Sequence, residues 1–315
     1  ITTRLVGSEM CIRDRFNIGN IGGASMGLNI VFGIDTTTAA AISGILGILL
    51  FASPKMGGVL DNTAKVLGTV MLVLIGYVAF STNPPVAEAA THAIVPTNYP
   101  WLATITLIGG TVGGYITFSG GHRLIDAGIT GREHLKDVRR AAFMGMSVDA
   151  IVRILLFLAV LGVVSMGFAL DPKDPAGSAF LLGAGEIGHK LFGIVFFCAA
   201  LTSVVGAAYT SVSFLKTLFK VVERYEKLTI MAFIFVSTCI LIFIGKPATL
   251  LIVAGSVNGL ILPVTLAVML LATRKANIVG DYKHNPVLFY TGWIVVLVTA
   301  YIGVTSLQGI AKLLG

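Results

Sequence analysis

The stretch Leu107-Ile-Gly-Gly-Thr-Val-Gly-Gly-Tyr-Ile-Thr-Phe-Ser-Gly-Gly-His122 differs from an ordinary apolar helix in its glycine content. It holds six glycines, arranged as three Gly-Gly pairs, and three Ser or Thr residues in sixteen positions. Each glycine in a helix interior costs about 1 kcal/mol relative to alanine, so the three pairs predict an unwound segment. In apolar surroundings, the freed main-chain groups need a polar cavity or burial in protein.

The composition on both sides of this stretch is that of a membrane protein. Of the 315 residues, 56% are hydrophobic and 12% charged, and the mean hydropathy is +0.92. Soluble domains carry about 25% charged residues, and an apolar run of about 20 residues spans a bilayer as a helix. The sequence therefore predicts an all-α polytopic membrane protein. This excludes a disulfide scaffold, a nucleic-acid binder and a soluble enzyme.

Apolar runs separated by turn signals predict nine membrane spans. Loops rich in Pro, Asn and charged residues, such as Asn83-Pro84-Pro85, separate them. The predicted spans are 16–33, 36–52, 64–80, 102–120, 142–168, 190–215, 228–245, 248–273 and 286–306.

The distribution of basic residues predicts the orientation of these spans. Loops 53–65, 121–141, 216–227 and 274–285 together hold fourteen Lys and Arg residues, whereas the alternate loops and the C-terminus hold four. Basic loops stay on the cytoplasmic side. The net charge of +7 is therefore interpreted as a topology signal. The expected protein is a multi-pass protein of the bacterial plasma membrane. Its C-terminus is expected on the outer side.

Residues 1–15 differ from the rest of the chain. They carry five charges and stop at Phe16, inside an apolar helix pattern. The string from Val6 to Arg15 resembles translated sequencing-adapter read-through, so we expect a non-native scar followed by a single membrane domain over 16–315. An ordinary cytosolic tail is the alternative.

Two interpretations of the glycine stretch follow from the residues alone. A discontinuous helix with an ion site at the break is common in secondary transporters. Close helix packing through small-xxx-small spacing, for example Gly110 with Gly114, is the alternative.

Four motifs together resemble the NRAMP divalent-metal transporter family, of which this chain looks like a divergent branch. Gly22-Gly-Ala-Ser-Met-Gly-Leu-Asn-Ile-Val-Phe-Gly-Ile34 is similar to the family's third helix and its exit. Leu107-Ile-Gly-Gly-Thr-Val-Gly-Gly-Tyr115 is similar to the sixth, Ala199-Ala-Leu-Thr-Ser-Val-Val-Gly-Ala-Ala-Tyr209 to the eighth, and the segment from Leu250 to Pro263 to the tenth.

The resemblance implies a LeuT-type bundle of two inverted repeats. On this alignment the nine spans are the family's third to eleventh helices, and its first two helices would precede Phe16. Residues 16–100 would be the remainder of the first repeat, 101–275 the second repeat, and 286–306 an extra C-terminal helix. The chain is therefore expected to be an N-terminally truncated fragment.

The resemblance also assigns a metal site, with departures from the family pattern. The family's sixth helix reads Gly-Ala-Thr-Val-Met-Pro-His, so its Ala carbonyl maps to Gly110 and its metal-binding Met to Gly113. The following Pro and His map to Gly114, which is included in the expected metal site, and to Tyr115, which is a candidate for the ion path. A thioether selects softer metals, whereas carbonyl, hydroxyl and water oxygens suit Mg²⁺ or Mn²⁺. Replacing Met by Gly makes room for the waters that Mg²⁺ keeps.

Other polar residues complete the expected ion path. The family's proton-transferring acids on its third helix map to Asn17 and Asn20, which cannot titrate. Asn258 is a candidate metal ligand, with an interhelical hydrogen bond as the alternative. Thr111, beside the break, is expected to contact hydrated metal. Asp149 is a candidate for the cation path, or the partner of Arg153 in an intrahelical ion pair.

The expected function is transport of divalent cations, Mg²⁺ or Mn²⁺/Fe²⁺, with weak or no proton coupling. Na⁺-coupled transport of amino acids or other small organic solutes is the alternative, and a membrane-embedded enzyme is a remote one. No bound cofactor and no nucleic-acid partner are expected. The expected partners are the lipid bilayer and the transported ion.

Overall fold

The computed structural model describes the main chain of residues 2–52, 54–112, 124–125, 127–131, 133–171, 174–216, 219–244 and 247–314. Within these ranges the chain is helical and forms no strand, which confirms the all-α prediction. The main helices are α1 (Thr2–Phe32), α2 (Thr36–Ala52), α3 (Pro54–Ser81), α4 (Val86–Ile94), α5 (Trp101–Val112), α6 (Leu135–Ser165), α7 (Pro175–Lys216), α8 (Glu226–Ile244), α9 (Pro247–Ala272) and α10 (Pro286–Leu314). Two short helices, Lys220–Arg224 and Ala276–Val279, lie in connections.

Each of the nine predicted spans overlaps one of these helices. By length and composition, five described helices could cross a membrane, and seven if each of two bent pairs counts as one span. Nine spans were predicted, so two of them have no separate counterpart in this set of seven. Spans 16–33 and 36–52 correspond to α1 and α2, which count together as one bent pair. Span 102–120 corresponds to α5, whose described part has only 12 residues and is too short to count.

A glycine turn separates α1 from α2. The helices bend by 117°, and Gly33 between them adopts a φ of +68°, which glycine tolerates without steric cost. The Asp35 carboxylate then accepts hydrogen bonds from the main-chain N–H of Thr38 at 2.9 Å and from its hydroxyl at 2.6 Å. This capping contact pairs an N–H of the first turn of α2, which has no partner within the helix.

The second bend, of 103°, separates α3 from α4. It lies at Asn83, which has a φ of +48°, and at the two prolines that follow it. Proline has no N–H and disfavours helical geometry in the residue before it. The predicted loop at this position is confirmed, but α4, which follows it, was not predicted.

Helix α7 begins earlier than predicted and bends at Gly185. The sequence predicted a span from residue 190, whereas the helix starts at Pro175 and has a φ of +68° and ψ of −170° at Gly185. Phe180, before the bend, is fully buried and stacks on Phe192 after it, with ring centroids 4.6 Å apart. This tertiary contact stabilises a helical segment too short to be recognised as a span.

The helices pack around two apolar clusters and one glycine-rich crossing. The first cluster joins α1, α2, α7 and α8 through residues such as Ile21, Val204 and Ile234. The second joins α3, α6 and α7 through Ile75, Val163 and Phe180. The crossing lies where α5 packs on α9, and α9 also contacts α1 and α10.

Candidate functional site

Helices α5 and α9 cross at main-chain contact through three glycines. A Cβ atom added at Gly109 would collide with the carbonyl oxygen of Gly255 and the nitrogen of Gly259. One added at Gly255 would lie 2.9 Å from the carbonyl oxygen of Thr106, and one at Gly259 would lie 2.5 Å from that of Ile105. The crossing therefore requires glycine at all three positions, because real Cβ atoms do not approach other atoms so closely.

Two polar contacts join the helices at the same place. The side-chain amide of Asn258 donates a hydrogen bond of 2.6 Å to the carbonyl oxygen of Gly109. The hydroxyls of Thr106 and Ser256 lie 2.7 Å apart, and either can be the donor. Asn258 and Ser256 are both fully buried. We name these residues the α5–α9 junction: Thr106, Gly109, Gly255, Ser256, Asn258 and Gly259.

Two roles were predicted for Asn258, as a metal ligand or as the donor of an interhelical hydrogen bond. The structure shows the interhelical hydrogen bond. Its amide nitrogen is directed at α5, one residue from Gly110. The metal-ligand role stays a prediction, because the hydrogen bond is made by the amide nitrogen, whereas a metal ion would be bound through the amide oxygen.

Gly110 and Thr111 follow Gly109 on α5, next to the junction. Gly110 is exposed, and a Cβ atom added to it would meet nothing within 4 Å. The Thr111 hydroxyl donates to the carbonyl oxygen of Leu107 at 2.6 Å. In the first Gly-Gly pair, Gly109 is therefore the glycine that packs against α9. The small-xxx-small interpretation had assigned close packing to Gly110. Gly113, Gly114 and Tyr115, with the other two glycine pairs, lie outside the described residues.

The two asparagines on α1 differ in burial. Asn17 is fully buried, and neither atom of its amide has a hydrogen-bond partner among the described residues. Asn20, one turn along α1, is half-buried. A buried polar group without a partner is costly, and such groups in native proteins are rare.

Asp149 forms the predicted ion pair with Arg153 on α6. The guanidinium Nε donates to the Asp149 carboxylate at 2.8 Å, and both side chains are about half exposed. Arg153, on α6, and Thr111, on α5, both line a cavity of about 780 Å³. A cation-path role for Asp149 stays a prediction.

The structure thus brings together only some of the residues named from the sequence. Gly110, Thr111 and Asn258 gather around the α5–α9 junction, whereas Asn17 and Asn20 lie on α1 and Asp149 on α6. Over the described part of the chain, no three His, Cys, Asp or Glu side chains cluster as metal ligands. Sequence reasoning missed Gly255 and Gly259, although their spacing of four in an apolar segment is a known signal of close helix approach.

A scan against protein-family models finds the natural resistance-associated macrophage protein-like (Nramp) model over residues 14–308. The chain belongs to the Nramp family. Two curated relatives are 50% identical to it over the aligned residues. An uncharacterized membrane protein of Haemophilus influenzae is 50% identical over 285 residues, which are 90% of this chain and 72% of the relative. The Bacillus subtilis membrane protein YcsG is 50% identical over 292 residues, 93% of this chain and 72% of the relative.

Solved structures show which fold this Nramp chain has. Two variants of the Eremococcus coleocola manganese transporter superpose on it with TM-scores of 0.65 and 0.64, at 14% and 15% identity. Each match covers 98% of this chain and 72% of the transporter chain. The predicted family and the predicted LeuT-type helical bundle are both confirmed. The repeat boundaries at residues 16–100, 101–275 and 286–306 stay predictions.

Proposed function

We propose that this Nramp chain carries divalent metal cations across the membrane, with Mg²⁺ as the preferred ion and weak or no coupling to protons. The observation that carries the proposal is the α5–α9 junction. It holds the turn containing Gly110 and Thr111 in place through the hydrogen bond from Asn258 to Gly109. A rigid turn with an open side is what a site for a partly hydrated ion needs.

The donors at this position are hard. Thr111 has a hydroxyl, Asn258 an amide group and Gly110 a main-chain carbonyl, and none of the three has a soft donor atom. Such oxygens suit Mg²⁺ and Mn²⁺ better than softer metals, and Mg²⁺ keeps several of its waters when bound. Gly113, which stands where the family motif has its thioether, supplies no soft ligand. These features favour Mg²⁺ over Mn²⁺ and Fe²⁺.

Similar proteins support a divalent metal as the cargo without identifying the ion. The two solved structures compared above are variants of a manganese transporter. The family is one of transporters, which argues against the membrane-embedded enzyme. The identity of 14–15% carries the fold alone. The choice of Mg²⁺ therefore rests on the residues of this chain.

The proposal of weak coupling rests on Asn17 and Asn20. Both occupy positions on α1 at which the family resemblance places proton-transferring acids, and an amide does not titrate. Asn17 is also fully buried. A proton would need another carrier to cross with the cation along α1.

The decisive variant is Gly113→Met in the full-length protein, reconstituted in liposomes that contain a metal-sensitive fluorophore. A thioether at residue 113 should move the preference from Mg²⁺ toward Mn²⁺. Gly76→Met is the control, because this glycine lies on α3 and a side chain added to it meets nothing within 4 Å. Unchanged uptake of both ions by Gly113→Met would remove Gly113 from the site. Equal shifts in the two variants would do the same.

A further inference from the structure

Helix α4 leaves the direction of α3 at once, because the chain bends by 103° across Asn83-Pro84-Pro85. All nine residues of α4 are described, and none of them is buried. A helix this short is not stable in water by its own hydrogen bonds, and in proteins the contacts of an amphipathic face supply most of its stability. A surface outside the helix must therefore stabilise α4.

The side chains of α4 are separated by polarity around its axis. At about 100° per residue, Val86 and Ile94 lie about 80° apart and define an apolar face. Glu88, Thr91 and His92 lie on the opposite face. A short helix with this pattern is typical of segments that lie in the plane of a membrane surface, with the apolar face toward the acyl chains.

The apolar face of α4 has no protein cover in the described part of the chain. Val86 is 54% exposed and Ile94 83% exposed, and Val95, which follows the helix, is 68% exposed. Glu88 and His92 instead line a cavity of about 390 Å³ between α4 and α6. Water is an unfavourable environment for a row of large apolar side chains, whereas hydrocarbon is a favourable one.

Aromatic residues lie just beyond α4 in the chain. The ring of Tyr99 stacks on that of Trp101, with centroids 5.1 Å apart, and Trp101 meets the ring of Tyr301 edge-on at 5.7 Å. This contact joins the start of α5 to α10. Tyr and Trp are concentrated where a membrane meets water, because their rings are apolar and their polar atoms stay hydrated. The end of the bundle beside α4 is therefore expected at that level.

The surface that α3 presents to lipid is continuous with α4. Phe80 is the last residue of the predicted span 64–80, lies in the last turn of α3 and is 83% exposed. The hydrocarbon that covers Phe80 ends close to the level at which α4 begins. Because α4 then runs at 103° to α3, its direction is closer to the membrane plane than to the membrane normal.

We propose that α4 lies flat in the membrane–water interface at the end of α3, with Val86 and Ile94 among the upper acyl chains and Thr91 toward water. The predicted orientation makes this the outer leaflet. The apolar face binds hydrocarbon and not a charged headgroup, since α4 has no Lys or Arg and carries the acidic Glu88. This lipid contact is additional to those of the spanning helices and does not depend on the transported ion.

Nitroxide labels on single cysteines measure the depth of each face of α4. Full-length protein with its native cysteines replaced by alanine is labelled and reconstituted in phosphatidylcholine vesicles without metal. Collisions with oxygen, which concentrates in hydrocarbon, and with a water-soluble nickel chelate give the depth. We expect the label of Ile94→Cys about 5–10 Å below the phosphates and that of Thr91→Cys at the phosphates or above them. Phe80→Cys is the lipid-exposed reference, and Asp281→Cys, in an exposed connection, is the aqueous one.

Two results of this measurement would overturn the proposal. Equal access of the nickel chelate to the labels at residues 94 and 91 would place the whole of α4 in water. A label at residue 94 that neither oxygen nor nickel reaches would show that protein covers the apolar face. If Ile94→Cys does not fold, Val86→Cys on the same face carries the same test.

A charge on the apolar face should move α4 toward water. Ile94→Asp should raise the label of Val86→Cys by about 5 Å or more, since the helix loses its apolar contact with the acyl chains. Thr91→Asp is the matched control, because it adds the same charge to the opposite face and should leave the label in place. Equal depths in the two variants would contradict anchoring by hydrocarbon.

The lipid headgroup should not matter for this contact. Vesicles of phosphatidylglycerol should give the same depth at residue 94 as vesicles of phosphatidylcholine, because hydrocarbon is common to both. Insertion in only one of the two lipids would show that α4 recognises a headgroup and would overturn the proposal. Metal uptake is measured separately, so failure here leaves the proposed cation transport unaffected.

Discussion

The side-chain amide of Asn258 on α9 donates a 2.6 Å hydrogen bond to the carbonyl oxygen of Gly109 on α5, across 149 positions of sequence. The bond forms because Gly109, Gly255 and Gly259 bring the two helices to main-chain contact. It fixes the turn of α5 that contains Gly110 and Thr111. The proposed cation site depends on this one relationship more than on any other.

Asn258→Leu should destabilise the protein by about 1 kcal/mol, because interhelical hydrogen bonds in membranes contribute about 0.6–1.7 kcal/mol. The thermal midpoint in detergent measures this change, and uptake of Mg²⁺ should fall with it. Thr265→Val is the control, since Thr265 is buried on the same helix and, in the part of the chain that the structure describes, its hydroxyl bonds only to Leu262 of that helix. Equal losses of stability and uptake in the two variants would contradict a special role for the Asn258 bond.

Gly109→Ala and Gly110→Ala should have opposite effects on stability. An alanine at residue 109 collides with α9, and overpacking of this kind costs about 1–3 kcal/mol. An alanine at residue 110 meets open space, and replacing glycine in a helix stabilises it by up to about 1 kcal/mol. Thermal midpoints of the two variants compare the positions directly. If both variants unfold at the same temperature, α5 is rotated differently against α9.

Asn17→Asp should introduce proton coupling, because it places a titratable group at a buried position that now holds an amide. Acidification of the liposome lumen during Mg²⁺ uptake reports the coupling. Wild type should show little acidification and Asn17→Asp more. The control is Asn17→Leu, which should stay uncoupled and should lose no stability, since the Asn17 amide has no partner among the described residues. Strong acidification by the wild type would refute the proposal of weak coupling.

The C-terminus is expected on the outer face, because fourteen of the Lys and Arg residues fall in the loops assigned to the cytoplasm. Alkaline phosphatase fused after Gly315 should be active in bacterial cells, and a green fluorescent protein fused at the same position should be dark. The reverse pattern would invert the whole orientation, since the two reporters fold in opposite compartments.

The sequence predicted those features that depend on neighbouring residues. The apolar runs located the membrane helices, and the spacing of four between Asp149 and Arg153 predicted their ion pair. Asn258 stood out as a polar residue in an apolar run. Its two roles could not be separated, because the partner Gly109 is distant in sequence.

The features that the sequence did not predict depend on tertiary packing. Successive residues of a helix point about 100° apart, so whether Gly109 or Gly110 faces α9 follows from how α5 is rotated against α9. The bend at Gly185 depends on the stacking of Phe180 and Phe192. The cavity at Arg153 requires four helices to be placed together, and no local pattern of residues reports their arrangement.

The most direct test of the proposed function is uptake of Mg²⁺ and Mn²⁺ by the full-length protein in liposomes, with an inside-negative membrane potential and compared with protein-free liposomes. Divalent-cation transport with weak proton coupling predicts saturable, potential-driven uptake with a preference for Mg²⁺ and little acidification of the lumen. Uptake of neither ion above protein-free liposomes, alongside Na⁺-dependent uptake of amino acids, would contradict it.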